Sequence, residues 1–432
     1  LKTIKLDGES VGKLRLMQNK KAKKKIDIPF IRTAEGKIKV NSLRNIELII
    51  ENDERLKGRF RFNLFTSEID VVKDSKELNI KQGRLMDAYY SEIASYIESN
   101  ADYNHVLFDE RKIRSALTVV SRRHAYNPII DYMNEAYKEW DKEERLNTLL
   151  ADYLGVEQTP TVELITKLFF CGAVAKAFNP KTKFDFVLDL VGGQGAGKTT
   201  FLQNIAPLGY YTDQFTNFDN KDDFAVMRRA LIINDDELTA TSNASFEILK
   251  KFITLQEFEY RKPYGHEAER FAKNFVMART TNELYYLKDK TGERRFLPVL
   301  VSKSRQKKSP IDDLNEKFVK QLWGEAVHLY KDEKFTFKLT KQQEKELENH
   351  RINFMYTDEV EDRIDEMLVN DFEGKDFITS KDIALRLGDN VDLTKDRKLA
   401  SKVSEIMINR FHFRKSRKRI EGTMKRGYER SV

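Results

Sequence analysis

The sequence predicts an α/β protein with a mainly parallel sheet, and three observations carry that prediction. Short apolar runs of strand length recur at VLDLV from Val187, ALIIN from Ala230, FVMA from Phe275 and FLPVLV from Phe296. Stretches of helical spacing, DNKDDFAVMRR and NASFEILKKFI, lie between them, and that alternation implies parallel strands with helices on both faces. The first run leads straight into a glycine-rich loop and the helix-forming TTFLQNIA.

Ahead of this region, residues 1–35 carry a run of Lys20, Lys21, Lys23, Lys24 and Lys25, read as a solvated arm or a nucleic-acid contact. The stretch SLRNIELIIENDERLKGRFRFNLFTSEIDVV combines a helical pattern with two alternating runs around Gly58, as in a small α+β unit. From Gly83 to about Lys176 the spacing is helical almost throughout, as at Met86, Tyr89, Tyr90, Ile93, Tyr96 and Ile97. The single cysteine, Cys171, lies in the apolar LFFCGAVAKAF and reads as a small buried hydrophobe, which excludes a disulfide framework or a cysteine-based zinc site.

The loop itself spells G-x-x-x-x-G-K-[ST] as Gly192, Gly193, Gln194, Gly195, Ala196, Gly197, Lys198 and Thr199, with Thr200 next. This is the phosphate-loop pattern. Glycines let backbone N–H groups turn inward around a triphosphate, Lys198 is placed to reach the β/γ-phosphates of ATP, and the Thr199 hydroxyl to ligate Mg2+. An ordinary glycine-rich turn is the weaker reading, because a strand precedes the loop and a helix follows it.

A phosphate loop alone fits kinases, switches and motors, so its companions decide. The strand LII ends in Asn234, Asp235, Asp236 and Glu237. Such a strand in an NTPase holds Mg2+ through a water and activates the attacking water, so Asp236 is assigned to the metal, Asp235 is its alternate, and Glu237 is the general base. Asn282 just past FVMARTT is expected to orient the lytic water. TGERRF places Arg294 and Arg295 before the final strand, where one of them could meet the γ-phosphate of a neighbouring subunit. Between Glu257 and Arg270, alternation around Pro263 and Gly265 suggests a β-hairpin presenting Arg261, Lys262, Tyr264 and His266 to DNA, against the plainer reading of a structural hairpin.

Residues 312–349 are helical and heavily charged, and beyond Asp358 come three amphipathic helices and a basic hairpin turning near Gly422. The formal charge of +8 is concentrated here: residues 410–432 hold nine Lys/Arg and two Glu, a net of +7, which leaves +1 for the rest. Arg414, Lys415, Arg417, Lys418 and Arg419 in this tail want a polyanion. The chain begins at Leu1 without a methionine, shows no signal-peptide pattern and has no uncharged run of 18 apolar residues, so a cytoplasmic fragment without membrane contact is expected.

The order of these motifs resembles the superfamily 3 helicases of the AAA+ class. More narrowly it is similar to the virulence-associated protein E family and to replication initiators of staphylococcal pathogenicity islands and related mobile elements. The matching residues run from NPIIDYM (127–133) and WDKEERL (140–146) through GAVAKAFNPKTKFDFVLDLVGGQGAGKTT, Glu237-Leu238, YRKPYG (260–265), TTN (280–282) and TGERRFLPV, about 175 residues in all. Leu297 stands where an aromatic residue is common after RRF. The resemblance implies a homo-oligomeric ring, expected as a hexamer, hydrolysing ATP with Mg2+ to unwind origin DNA. The hairpin would track DNA through the pore, with Arg294 or Arg295 as the finger between subunits. An ATP-gated switch that loads a host helicase, and so touches host replication proteins, is the alternative. The C-terminus is similar to winged-helix DNA-binding domains, in which the helix 396–409 would enter the major groove. The expected division is an N-terminal α+β and helical region (1–118), an ATPase domain (119–305), a helical connector (306–357) and a winged-helix domain (358–432).

Overall fold

The computed structural model describes residues 28–260, 267–287, 293–356, 359–372, 374–388, 391–420 and 422–430. The lysine run at 20–25 lies outside the described residues. The first unit builds a core from the helix Leu43–Asn52, the antiparallel strands β1 (Phe60–Asn63), β2 (Glu68–Val71) and β3 (Gly83–Arg84), and the helices Asp87–Ser99 and Glu110–Arg123. Its helices bury one face each: Ile46, Ile49 and Ile50 from the first and Ile113, Leu117 and Val120 from the third meet in that core. Asn63 ties the unit to the next, since its side-chain amide donates to Asp70 at 2.8 Å and to the Tyr210 hydroxyl at 2.9 Å.

Three helices follow, each with a legible start or stop. Asn127 caps Pro128–Glu139 through the Ile130 N–H, Gly155 ends Leu146–Leu154 at φ +61°, and Thr159 caps Pro160–Phe178. The last is apolar on nearly every side and is accordingly buried through most of its length. Cys171 is buried within it, where desolvation pushes the thiol pKa up to about 12.

The central sheet has five parallel strands: β4 (Val187–Val191), β5 (Tyr211–Thr212), β6 (Ile232–Asp235), β9 (Val276–Thr281) and β10 (Phe296–Leu300), in the order β10-β4-β9-β6-β5. The antiparallel pair β7 (Glu257–Tyr260) and β8 (Glu269–Ala272) stands apart as a two-stranded hairpin. At the middle of the sheet Asp189 of β4 faces Arg279 of β9 in register, and the two form a bidentate ion pair at 2.8 and 2.5 Å with both side chains buried. The Tyr286 hydroxyl donates to the same carboxylate, and the guanidinium lies 3.9 Å from the Phe296 ring centroid.

One helix packs more deeply than the sequence reading implies. Within 306–357, read as a connector, the helix Glu316–Lys331 packs into the same core as the sheet and the helices 128–139 and 160–178. Trp323 is fully buried and donates from its indole to the Ile205 carbonyl at 2.8 Å. Gly324 permits the close approach, since a Cβ there would lie 2.5 Å from the Ala136 carbonyl oxygen. Glu316, Lys317 and Lys331 are exposed and mask the apolar stripe of Val319, Leu322, Trp323, Ala326 and Val327, while the buried Glu325 accepts from the Arg145 and Leu146 N–H groups at the start of the helix Leu146–Leu154.

The final unit has its own core, formed by the helices Glu359–Asn370, Ser380–Leu387 and Arg397–Glu405 and an antiparallel sheet of β11 (Phe377–Thr379), β12 (Phe413–Ile420) and β13 (Thr423–Arg430) in the order β11-β13-β12. The strand β11 is an addition to the expected three helices and hairpin. It pairs only with residues 427–429 of β13, so the outer part of the hairpin projects beyond the sheet.

The central ion pair gives the first prediction. Asp189→Asn strands a buried guanidinium and is expected to cost about 3–5 kcal/mol, whereas Asp189→Leu combined with Arg279→Met should recover most of that loss. Urea denaturation of the two variants beside the parent protein checks it.

Candidate nucleotide site

Parallel strands place all their C-terminal ends on one edge of the sheet, and there β4 runs into the glycine loop. Gly192 starts the turn where no side chain fits, because a Cβ would lie 2.4 Å from the Val301 carbonyl oxygen. The helix Lys198–Ile205 begins at the end of the loop, so its unpaired N–H groups and dipole face the same space. A cavity of about 210 Å3 opens there, lined by Gln194, Gly195, Ala196, Gly197, Lys198, Thr199, Thr200, Asp236, Glu237, Thr280 and Asn282.

The Lys198 ammonium donates to the carbonyls of Gly192 (2.6 Å) and Gly193 (3.1 Å) and to Asn282 Oδ1 (2.9 Å). Burial pushes its pKa below the ordinary value, and the nearby Glu237 and Asp236 oppose that shift. Asp236 is the hub of the site. Its Oδ1 accepts from Thr199 at 2.7 Å, from Thr280 at 2.7 Å and from the Asn234 amide at 3.1 Å. The hydroxyl of Thr199 and the carboxylate of Asp236 thus form a pair of hard oxygen donors beside the loop.

Glu237 reaches the site through an unusual backbone. It and Leu238 both adopt left-handed conformations, at φ +52° and +53°, which cost roughly 1–2 kcal/mol per residue for side chains of this kind. The Glu237 N–H is held by Thr280 Oγ1 at 3.0 Å, and its carboxylate accepts from Asn282 Nδ2 at 3.4 Å. Asn282 therefore bridges the cation and the exposed carboxylate, the position from which an amide can orient a water.

The structure brings Lys198, Thr199, Asp236, Glu237 and Asn282 together, and it separates two other groups from them. Asp235 does not line the cavity. Its Oδ1 accepts from Ala240 N (2.7 Å) and its Oδ2 from the Thr241 N–H (3.0 Å) and hydroxyl (2.6 Å), so its carboxylate is engaged with the first turn of the short helix Thr239–Asn243 and not with Thr199. Burial raises its pKa against those hydrogen bonds. Arg294 and Arg295 lie in a turn ahead of β10, whose register runs from Phe296 opposite Val187 to Leu300 opposite Val191. They sit at the sheet edge away from the loop, roughly 15 Å along the strand.

Thr280 and Asn234 are given no role by the sequence, although both fall inside its motifs, and Tyr211, whose hydroxyl accepts from Asn234 at 3.0 Å, is not singled out at all. The signal for Thr280 was its place two residues before Asn282. The residues Arg261, Lys262, Tyr264 and His266 lie outside the described residues, although β7 and β8 form the predicted hairpin stem. On β12, Arg414, Lys415, Arg417, Lys418 and Arg419 are all exposed, and Arg414 is bridged to Glu429 at 3.0 Å. The helix Arg397–Glu405, capped by Asp396 through the Leu399 N–H, buries Val403 and Ser404 and exposes Arg397, Lys398 and Ser401.

The virulence-associated protein E-like domain family matches residues 133–356, a span that holds the loop, the acidic strand, the hairpin stem, the arginine turn and the helix Glu316–Lys331. No curated protein matches the chain. Among solved structures the chain is similar to an A-form apo structure of the NrS-1 C-terminal region, at 11% identity and a TM-score of 0.43, covering 86% of this chain and 96% of that one. A further apo structure of that region has 12% identity and a TM-score of 0.33, with the same coverage.

The two neighbouring aspartates separate by experiment. Asp235→Ala is expected to lower stability by about 1–2 kcal/mol, as for a lost helix cap, and to leave titration of the loop with inorganic triphosphate unchanged. Asp236→Ala should leave the thermal midpoint nearly in place and disturb triphosphate binding in the presence of Mg2+.

Proposed function

This chain belongs to the virulence-associated protein E-like domain family, and we propose that it is an ATP-dependent DNA helicase that opens origin DNA for the replication of a mobile element. The observation that carries this reading is the convergence of Lys198, Thr199, Asp236, Glu237 and Asn282 on one cavity at the mouth of a phosphate loop. In this reading the loop amides and Lys198 bind the phosphates of ATP. Thr199 and Asp236 would hold Mg2+, which supplies charge neutralisation at the phosphates. Glu237 takes the proton of the attacking water, and Asn282 orients that water while fixing Glu237.

The motor reading rests on the elements around the site. Arg294 and Arg295 are too far from their own chain's loop to act there, so a role in hydrolysis requires a neighbouring copy, which fits the AAA+ class and a ring, expected as a hexamer. The stem β7–β8 would carry Arg261, Lys262, Tyr264 and His266 to a DNA strand. The C-terminal order of helices and strands suits a winged-helix domain, with the exposed face of Arg397–Glu405 toward base edges and the projecting basic hairpin along the phosphates.

Lys198→Ala is expected to keep the fold and lose hydrolysis by on the order of 100-fold or more, and Glu237→Gln to bind ATP yet cleave it at least about 100-fold more slowly. Wild-type turnover by the Gln variant would remove Glu237 as the base. Strand displacement that tracks hydrolysis supports the motor; DNA-stimulated hydrolysis without displacement would instead mark an ATP-gated loader of a host helicase.

Deleting residues 358–432 should collapse the ratio of origin to non-specific DNA affinity at fixed salt while sparing DNA-stimulated hydrolysis. Lys262→Ala with His266→Ala should keep origin binding and lose unwinding. A deletion that weakens all sequences equally and leaves the ratio unchanged would make the tail a general polycation rather than a recognition domain.

A further inference from the structure

The strand β10 lies at an edge of the central sheet, and the helix Lys341–Ile352 packs along it and against the turn Glu293–Arg295. Two consecutive residues of that helix engage the strand and turn. His350 donates from Nε2 to the Pro298 carbonyl at 2.8 Å; burial pushes its pKa down, which favours the neutral ring with the proton on that nitrogen. Arg351 is 7% exposed, and its Nη1 is buried without a hydrogen-bond partner among the described residues. Burial opposes its charge, and the carboxylates of Glu293 and Glu348 favour it. A buried guanidinium is costly unless neighbouring charges compensate it, and Glu293 of the turn is one of the two carboxylates that do so here.

The chain then closes on the other flank of the same segment. Leu287 N donates to the Phe354 carbonyl at 3.2 Å, and Tyr356 N donates to the Leu287 carbonyl at 2.8 Å, so that Leu287 and Met355 form a parallel bridge. Residues 350–356 thus grip the chain both before and after the arginine turn, at Leu287 and at Pro298. Leu287 follows Asn282 by five residues, and the C-terminal unit starts with the helix Glu359–Asn370, directly beyond Tyr356.

We infer that His350 and Arg351 are positioning residues for the Glu293–Arg295 turn, and that the segment 341–356 is the strut through which the C-terminal unit bears on the arginines offered to a neighbouring subunit. The inference rests on the proposed action of Arg294 or Arg295 in trans. It adds the device that aims them, and it gives origin binding a physical route to the active interface.

Mixed-subunit ATPase assays test it, because defects on opposite sides of an interface complement and defects on the same side do not. Arg294→Ala and Arg295→Ala are each first mixed with Lys198→Ala. Failure of both to recover activity in demonstrated mixed rings overturns the trans reading itself. Arg351→Gln and His350→Ala are then mixed with Lys198→Ala, where random assembly at equal ratio leaves roughly one interface in four competent and activity should return. Mixed with whichever arginine variant complemented Lys198→Ala, they should return none. The converse pattern would place their defect in their own phosphate site and overturn the inference, as would full activity of Arg351→Gln alone or inactivity in both mixtures. Arg351→Lys, which retains the charge, should recover part of the activity that Arg351→Gln loses.

Discussion

The candidate site depends on a single constraint, the placing of β9 between β4 and β6 in a sheet whose strands all run the same way. Parallel strands deliver their following residues to one edge, so the glycine loop after β4 and the acids after β6 arrive there one strand apart. The end of β9 fills the space between them. Thr280 can therefore donate to Asp236 while accepting from the Glu237 N–H, and Asn282 can reach Lys198 on one side and Glu237 on the other. With β9 elsewhere in the sheet, neither link would form, and Asp236 would lose one of the donors that fix its carboxylate.

The same strand carries the charge that holds the middle of the sheet. Arg279 precedes Thr280 and so points to the opposite face, where Asp189 of β4 and the Tyr286 hydroxyl meet it. Alternation along one strand thus serves both purposes: odd and even side chains of a strand cannot share a face. A register slip of one residue in β9 would bury Thr280 against Phe296 and push a guanidinium into the phosphate cavity. The ion pair adds little net stability for its burial, but the slipped alternative would leave both charges unpaired, which is a reason for such a pair to sit at this position.

Much of this was legible before any coordinates. The loop, the acidic strand end, the strand containing FVMARTT and the hairpin stem all fall where spacing and apolar runs put them, because short buried strands flanked by helices leave a strong local signature. The parts that were not legible share a physical cause: they depend on contacts distant in sequence. Asp235 and Asp236 are chemically identical in the sequence; the register of β6 puts Asp235 opposite Arg279 and alternation turns Asp236 to Thr199, while the turn through two left-handed residues brings the Ala240 and Thr241 N–H groups to Asp235. The helix Glu316–Lys331 reads as a charged connector because its outer face dominates its composition, while Trp323 and Gly324 become informative only once the helix 128–139 and the Ile205 carbonyl are beside them. The strand β11 is three residues long and is defined by its pairing with β13 rather than by any pattern of its own.

The arrangement also bears on why an ATPase of this shape would need assembly. A phosphate loop and an arginine turn at opposite edges of one sheet cannot meet within a chain, since strand length alone keeps them apart. Side-by-side copies in a closed ring resolve that separation, for each copy then offers its turn to the next copy's loop, a head-to-tail interface that closes only at a fixed rotation. In the proposed reading, whatever shifts the turn shifts the completeness of the neighbour's site. The turn is gripped from the segment that leads into the C-terminal unit, at Leu287 by residues 354–356 and at Pro298 by His350. In the same reading, a force on that unit would reach the chain at Leu287 and at Pro298, on both sides of the Glu293–Arg295 turn, and a small rotation of the segment 341–356 would change the aim of that turn. Coupling of this kind needs no movement of the sheet, whose close packing around the Asp189–Arg279 pair resists deformation. In the proposed reading it would confine the adjustable geometry to the boundary between copies, where the energy of ATP would be turned into motion on DNA.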